Sequence, residues 1–152
     1  MIAYNTNIHN ESYGGDKMNI AIRYFSRTGN TEKLANAISE AVNVPALNVY
    51  EPLTEKADIL FLGSAVYAAG VDETVKRFLK DNKDKIGTLV NFSTAALLPS
   101  TYAQVKKLAE DLGINVSDKE YHCRGEFMVL HKARPNAADC EAAKAFAKSI
   151  LN

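Results

Sequence analysis

An α/β fold with a parallel sheet covered by helices on both faces is the fold class that the sequence predicts. Short segments that are almost wholly apolar alternate along the chain with segments whose apolar residues recur every three or four positions. The first pattern is typical of buried strands and the second of amphipathic helices. Because the connections between them are short, we expect the strands to lie parallel in one sheet, and their continuous apolar character fits burial on both faces.

Five segments have the apolar character expected of strands. Their predicted positions are residues 20–25, 45–50, 59–62, 88–92 and 121–130. The third segment is apolar throughout and is expected to end at Gly63. The last segment is the longest and is interpreted as one extended stretch. Five strands in about 135 residues fit a doubly wound domain.

Four segments are predicted to be helices that pack one apolar face against the sheet. The first covers residues 31–42. Asp72, Ser100 and Asn136 precede the other three, and their side chains are suited to cap the first turn of a helix. The residues expected on the inner faces are Leu34, Ala37, Ile38, Ala41, Val75, Phe78, Leu79, Val105, Leu108, Ala109, Leu112, Ala143, Phe146, Ala147 and Ile150.

The chain of 152 residues is expected to form one domain over residues 18–152, preceded by a flexible N-terminal extension over residues 1–17. The extension lacks apolar periodicity, so it cannot bury enough surface to offset the entropy cost of ordering it. The whole chain has 18 Lys and Arg residues and 18 Asp and Glu residues. This balance argues against nucleic acid and acidic membranes as partners, because both favour a basic surplus.

Several kinds of site are not predicted. Cys123 and Cys140 match neither a zinc ribbon nor a redox CxxC pair, and they are interpreted as free thiols. No combination of residues suggests a catalytic triad, a carboxylate dyad or a metal site. The apolar runs are shorter than a membrane span and no signal-peptide pattern is visible, so we expect a cytoplasmic location and no membrane association.

A polar loop leads from the first strand directly into the first helix, with the sequence Ser26-Arg27-Thr28-Gly29-Asn30-Thr31. Gly29 permits a tight turn, and the amides at the start of a helix favour an anion. Three hydroxyl groups together with these amides predict a phosphate cradle that needs no formal cation. The loop lacks the lysine of a Walker loop, the GxGxxG pattern of dinucleotide-binding folds and the nucleophilic cysteine of low-molecular-weight phosphatases.

Residues 24–31 resemble the FMN phosphate loop of flavodoxins, which is written T/S-x-T-G-x-T. Residues 57–64 are similar to the third strand of that family where it enters the first flavin loop. Residues 89–94 resemble the fourth strand where it enters the second flavin loop, and residues 123–136 resemble the closing stretch of short-chain flavodoxins. The resemblance covers residues 18–152. It implies a flavodoxin-like three-layer sandwich with a five-stranded parallel sheet of order 2-1-3-4-5.

The resemblance also implies noncovalently bound FMN at the carboxyl ends of the strands. The residues implied for the phosphate are Ser26, Arg27, Thr28, Gly29, Asn30 and Thr31. The residues implied for the flavin ring, in and after the two loops that follow the third and fourth strands, are Ser64, Ala65, Tyr67, Ala68, Gly70, Ser93, Thr94, Ala95 and Tyr102. Within these sets, Tyr67 would stack on the ring, Thr94 would donate to its pyrimidine edge, and Arg27 and Gly29 would bind phosphate through backbone N–H groups.

The function implied by the resemblance is electron transfer by a monomer, with a redox partner protein or a small acceptor. Two other functions remain open. Residues 95–99 form an apolar loop where many flavodoxins are acidic, so they could line the substrate site of an FMN-dependent reductase of the quinone-reductase type. A chain that kept the phosphate cradle without binding flavin would instead be a non-redox phospholigand-binding module.

Overall fold

A sheet of parallel strands forms the centre of the fold, as the sequence predicts. The computed structural model describes residues 17–65, 70–96, 100–128 and 130–152. Within these residues the strands are β1 (Ile20–Tyr24), β2 (Ala46–Asn48), β3 (Ala57–Ala65), β4 (Ile86–Ala95), β5 (Asn115–Val116) and β6 (Tyr121–Arg124). The helices are α1 (Asn30–Val42), α2 (Glu73–Asn82), α3 (Tyr102–Asp111) and α4 (Ala137–Leu151). The flexible extension expected over residues 1–17 lies, except for its last residue, outside the described residues.

The strand order is β2-β1-β3-β4-β5, with β6 also paired to β4, and every pair in the sheet is parallel. This confirms the predicted doubly wound sheet of order 2-1-3-4-5. The ladder between β3 and β4 runs from the pair Ala57 and Ile86 to the pair Ala65 and Thr94. Because both strands are central and covered on both faces, they carry apolar side chains on both sides for most of their length.

Helices cover both faces of the sheet, and each face has its own apolar core. On one face, α2 and α3 pack against side chains that include Leu60, Leu62 and Leu89. On the other face, α1 and α4 pack against the intervening side chains, which include Phe61 and Phe92. The larger residues predicted on the inner faces of the four helices all belong to these two cores. No helix in the described part of the chain has the length and apolarity that a membrane crossing needs.

Asp72 and Asn136 are the N-caps of α2 and α4, as predicted. The N-cap of α3 is Thr101, one residue after the predicted Ser100, and the Thr101 side chain makes no capping hydrogen bond. The carboxylate of Asp72 accepts the N–H of the second residue of α2 at 2.8 Å. The hydroxyl of Ser100 accepts the N–H of the first residue of α3, and the amide oxygen of Asn136 accepts that of the third residue of α4, both at 2.9 Å. The first helix differs, because its N-cap is Gly29, which has no side chain to accept a hydrogen bond.

β3 continues through Gly63 to Ala65, so the prediction that the third strand ends at Gly63 is wrong. The reason for a glycine lies in the neighbouring strand. A Cβ atom at Gly63 would lie 2.3 Å from the ring of Phe92, which is fully buried. The glycine is therefore required by the close approach of an aromatic ring, and not by a turn.

The extended stretch predicted over residues 121–130 is also wrong in its extent, since β6 ends at Arg124. Two short strands, β5 and β6, share the fifth position of the sheet, and β5 has no counterpart among the predicted strands. Phe127 and Leu130 form an isolated antiparallel bridge, and they are 49% and 38% exposed. The apolar residues that indicated a buried strand therefore lie on the surface.

Replacing Gly63 by alanine is expected to destabilise the fold, because the added methyl group would overlap the buried Phe92 ring. Overpacking of this kind costs about 1–3 kcal/mol. Urea unfolding followed by far-UV circular dichroism would measure the loss. The same substitution should cost less in a Phe92→Leu background, where the ring is absent. An equal cost in both backgrounds would show that the ring is not the cause.

Candidate functional site

The carboxyl ends of β1, β3, β4 and β6 meet at one edge of the sheet, which is where doubly wound folds bind ligands. The predicted site residues that follow β1 and close β3 and β4 are brought together at this edge. Tyr67 and Ala68, expected at the flavin ring, lie outside the described residues, as do residues 97–99 of the second loop. The described part of the site consists of the phosphate loop, the ends of β3 and β4, and the segment after β6.

The predicted phosphate loop turns sharply into α1. Gly29 has φ 92° and ψ −4°, the left-handed conformation that favours glycine. Its N–H donates to the Ser26 hydroxyl oxygen at 3.0 Å, so this amide is already bonded within the loop. The first N–H that bonds within the helix is that of Lys33, which donates to the Gly29 carbonyl at 3.1 Å. The three amides before it, at the start of α1, are oriented to favour an anion. Thr28 is exposed and Ser26 is half-buried, so both hydroxyls lie close to solvent.

Thr31 and Thr94 are joined by a hydrogen bond between their hydroxyl oxygens, which are 2.9 Å apart. Their residues are only 1% and 2% exposed. One hydroxyl donates to the other, and the accepting hydroxyl keeps its own hydrogen for another partner. Side chains predicted for the phosphate and for the flavin ring thus meet, and their bond ties the start of α1 to the end of β4.

The segment around the end of β6 is bonded to the phosphate loop and to the start of the second flavin loop. The side-chain amide of Asn30 donates to the backbone carbonyl of Glu126 at 3.0 Å. The carbonyl of Ala96 accepts a hydrogen bond from the Arg124 guanidinium at 3.2 Å and one from Nε2 of His131 at 3.0 Å. The turn that carries Phe127 is therefore held beside the phosphate loop and the start of the second flavin loop.

Arg27 joins the phosphate loop to the start of α2. Its guanidinium lies 2.9 Å from the carboxylate of Asp72, and the two side chains are 56% and 16% exposed. The pKa of Asp72 lies below its ordinary value, chiefly because the carboxylate accepts the Thr74 N–H and also because Arg27 is close. Asp72 follows the first flavin loop, so this ion pair connects that loop to the phosphate loop. Exposure limits such a pair to about 1 kcal/mol or less.

Ser64 and Ser93, both predicted at the flavin ring, direct their hydroxyls towards α3. The Ser64 hydroxyl bonds the Thr101 hydroxyl at 3.3 Å, and the Thr101 N–H donates to the Ser93 hydroxyl at 3.2 Å. Asn91 completes this group through a 3.1 Å bond to Thr101. Sequence reasoning missed Asn91 and Thr101. An amide side chain inside an apolar strand is a signal for Asn91, whereas Thr101 is marked only by its position beside Ser100.

The remaining predicted ring residues have different settings. Ala65 and Ala95 are the last residues of β3 and β4, so they lie where the two flavin loops begin. Gly70 follows the undescribed part of the first loop with φ 98°. The hydroxyl of Tyr102 donates to the carbonyl of Ser117 at 3.0 Å, so it is directed to the connection between β5 and β6.

A buried thiol lies in β6, and an ion pair lies at the start of α4. The guanidinium of Arg134 donates to both carboxylate oxygens of Asp139, at 2.6 and 2.9 Å, and these bonds lower the pKa of that carboxyl. Burial raises the pKa of Cys123 to about 12, so this thiol stays protonated and unreactive at neutral pH. Within the described ranges, no three His, Cys, Asp or Glu side chains are grouped so that they could hold a metal ion.

The sheet order, the polar loop after β1 and the two loops at the same edge define a doubly wound α/β protein of the flavodoxin type. The family model described as a flavodoxin domain matches residues 21–130. The chain therefore belongs to the flavodoxin domain family, which confirms the resemblance noted in the sequence.

A relative known by its sequence and several solved structures are similar to this chain. The uncharacterized protein MJ0298 of Methanocaldococcus jannaschii is 29% identical over 135 residues, which cover 80% of this chain and 90% of that protein. A flavodoxin from the domain Archaea superposes with a TM-score of 0.72 at 16% identity, over 88% of this chain and 96% of its own. Two-electron reduced Megasphaera elsdenii flavodoxin superposes with a TM-score of 0.59 at 25% identity, over 85% of this chain and 98% of its own. The fold is thus shared over most of each chain.

Asp139→Asn is expected to lower the free energy of unfolding by about 1–3 kcal/mol at neutral pH, because it removes a charge bonded to Arg134. The folded protein lowers the pKa of Asp139, so its contribution is present above the unfolded-state pKa, near 3.9. The contribution is lost as the pH falls through the lower folded-state pKa. Urea unfolding of both proteins between pH 7 and pH 2.5 should show their difference shrinking with acid. Asp111→Asn, at an exposed ion pair, serves as the control and should change little.

Proposed function

We propose that the protein binds FMN noncovalently at the carboxyl edge of the sheet and transfers electrons through it. The observation that carries the proposal is the loop of residues 26–31, which places hydroxyl groups beside the uncapped first turn of α1. Membership of the flavodoxin domain family supports a flavin as the ligand. A similar solved structure is that of a flavodoxin in its two-electron reduced form, which supports a redox role.

The chemistry of the loop fits a phosphate monoester. Such a group carries a charge of about −1.5 to −2 at neutral pH and has three acceptor oxygens. The hydroxyls of Ser26 and Thr28 would donate to these oxygens, and the first amides of α1 would add charge-assisted hydrogen bonds. Arg27 would contribute its backbone N–H, while its guanidinium pairs with Asp72. The cradle therefore recognises the anion chiefly through neutral donors.

The flavin ring would lie against the loops that continue β3 and β4. Bound FMN would supply the electron-transfer chemistry, and the chain would supply binding, orientation and the electrical environment of the ring. We assign the stacking position to Tyr67 and the pyrimidine edge to Thr94 and the backbone near Ala95. Electrons would pass to or from a redox partner protein or a small acceptor at this edge.

A second candidate function is reduction of a small acceptor such as a quinone by the FMN-bound protein itself. Exposed apolar side chains beside the site favour it. Phe127, Met128 and Leu130 are 49%, 78% and 38% exposed, on a segment bonded to the carbonyl of Ala96. Apolar surface next to a flavin can bind an apolar acceptor as well as a protein partner.

The purified protein is expected to bind FMN more tightly than riboflavin, which has the same ring and no phosphate. Thr28→Ala should weaken FMN binding by about tenfold, because one charge-assisted hydrogen bond to the phosphate is lost. The same variant should leave riboflavin affinity unchanged. Flavin fluorescence quenching would measure both affinities, and Thr54→Ala, at an exposed threonine away from the site, is the matched control.

Two outcomes of this titration would contradict the proposal. A chain that bound neither flavin would be a non-redox phospholigand module or a fold without the cofactor. Equal loss of FMN and riboflavin affinity in Thr28→Ala would place the residue away from the phosphate.

An electron carrier is expected to show negligible steady-state turnover when FMN-loaded protein is mixed with NAD(P)H and a small quinone. Absorbance at 340 nm would follow the consumption of the nicotinamide. Sustained turnover without a protein partner would favour the reductase. In that case Met128→Ser, at the most exposed apolar residue described, should raise the KM for the quinone.

A further inference from the structure

A buried polar group lies at the ends of β3 and β4, from which the two flavin loops leave. On the face covered by α2 and α3, β3 and β4 are apolar along most of their length, with Leu60, Leu62 and Leu89 in the core. At the carboxyl ends the same face becomes polar. The residues there, which are at most 1% exposed, are Ser64, Asn91, Ser93 and Thr101.

The hydroxyl of Thr101 is the centre of this group. It lies 3.3 Å from the Ser64 hydroxyl, which donates to it, and 3.1 Å from the Asn91 amide nitrogen, which also donates. It lies 3.4 Å from the amide oxygen of Asn91, to which it can donate its own hydrogen. One donated and two accepted hydrogen bonds use the full capacity of a hydroxyl group.

The backbone of Thr101 adds a fourth contact, because its N–H donates to the Ser93 hydroxyl oxygen at 3.2 Å. Ser93 also lies 3.3 Å from the hydroxyl of Ser100, which donates to the carboxylate of Glu120. Within the described residues, no buried side-chain nitrogen or oxygen lacks a hydrogen-bond partner. Each buried side-chain nitrogen and oxygen of the group thus has a partner, and such connected polar networks favour one arrangement.

The connections of Thr101 span both flavin loops. Ser64 is the second-last residue of β3, just before the first loop, and Asn91 and Ser93 lie in the last part of β4, before the second loop. Thr101 itself ends the second loop, at the start of α3. One side chain therefore joins the entry of the first loop to the entry and the exit of the second.

Stability alone is a weak reason for this arrangement. Apolar side chains of similar size would fill the same space with no hydrogen bonds to satisfy, as they do further along both strands. Among the described residues of β3 and β4, the buried polar side chains of this face stand at the end from which the two flavin loops leave. Their placement follows the site and not the core.

We propose that Thr101 is a positioning residue that holds the end of the second flavin loop against the ends of β3 and β4, and so orients that loop beside the slot that receives the flavin ring. This inference rests on the proposed FMN function. Because Thr101 acts through the ring loops and not through the phosphate loop, its removal should affect every ligand that carries the flavin ring.

The test compares Thr101→Val with Thr101→Ser and with Thr88→Val. Thr88 lies near the other end of β4, where its hydroxyl also accepts a hydrogen bond from an asparagine, Asn115, at 3.0 Å. Thr88→Val therefore removes the same kind of hydrogen bond far from the flavin loops, at a more exposed position. Fluorescence titration would give the affinities for FMN and riboflavin, a redox titration would give the midpoint potential, and urea unfolding of the flavin-free proteins would give their stabilities.

We expect Thr101→Val to weaken the binding of FMN and of riboflavin by the same factor, about tenfold, and to shift the midpoint potential of bound FMN. Thr101→Ser, which keeps the hydroxyl, should restore both properties, and Thr88→Val should change neither. The contrast with Thr28→Ala, which should affect FMN alone, separates the ring slot from the phosphate cradle.

If the wild-type protein binds FMN and Thr101→Val has the same affinity and midpoint potential, this inference is overturned and the FMN function stays intact. Equal effects of Thr101→Val and Thr88→Val would overturn it as well, since they would show a general effect of stability. Wild-type protein that binds no flavin would overturn the proposed function and this inference with it. If Thr101→Val does not fold, Asn91→Leu makes the same test from β4, with the same expected outcomes.

Discussion

The pairing of β3 with β4 is the constraint on which the rest of this structure depends. These strands form the centre of the sheet and stay in register from Ala57 and Ile86 to Ala65 and Thr94. The Phe92 ring packs directly over Gly63, so the two strands cannot slide or separate without opening the core. Because they are parallel and end together, the loops that follow them start side by side. The position of the site is a consequence of this pairing.

Two groups of hydrogen bonds connect the paired strands to the loops of the candidate site. On the side of α1, the Thr31 and Thr94 hydroxyls join the phosphate loop to β4. On the side of α3, Thr101 joins both ring loops to the ends of their strands. Both are buried at the carboxyl edge, where polar groups are satisfied by one another. On β3 and β4, directional hydrogen bonds thus replace apolar packing at the carboxyl edge, where the candidate site lies.

The sequence predicts the features that depend on local pattern. It does not predict the features that depend on contacts between residues distant in the chain. Apolar periodicity predicts a parallel sheet and all four helices. The sheet order follows from the resemblance to flavodoxins, which rests on the short motif after β1 and the strand ends. The predicted end of β3 is wrong because Gly63 accommodates the ring of Phe92, its register partner on β4 and 29 positions later in the sequence, and does not form a turn. The prediction of one extended segment over residues 121–130 is wrong because apolar character alone cannot distinguish a buried strand from an exposed turn. Thr101 was missed because its partners follow no spacing.

The division of the fifth sheet position into β5 and β6 has a consequence for behaviour in solution. An edge strand offers unpaired backbone groups to which another chain can add a strand. Here the strands at this edge have two and four residues, and β2 at the opposite edge has three. None is long enough to template a regular intermolecular ladder. Both edges of the sheet are therefore protected by strand length against pairing with the edge of another copy.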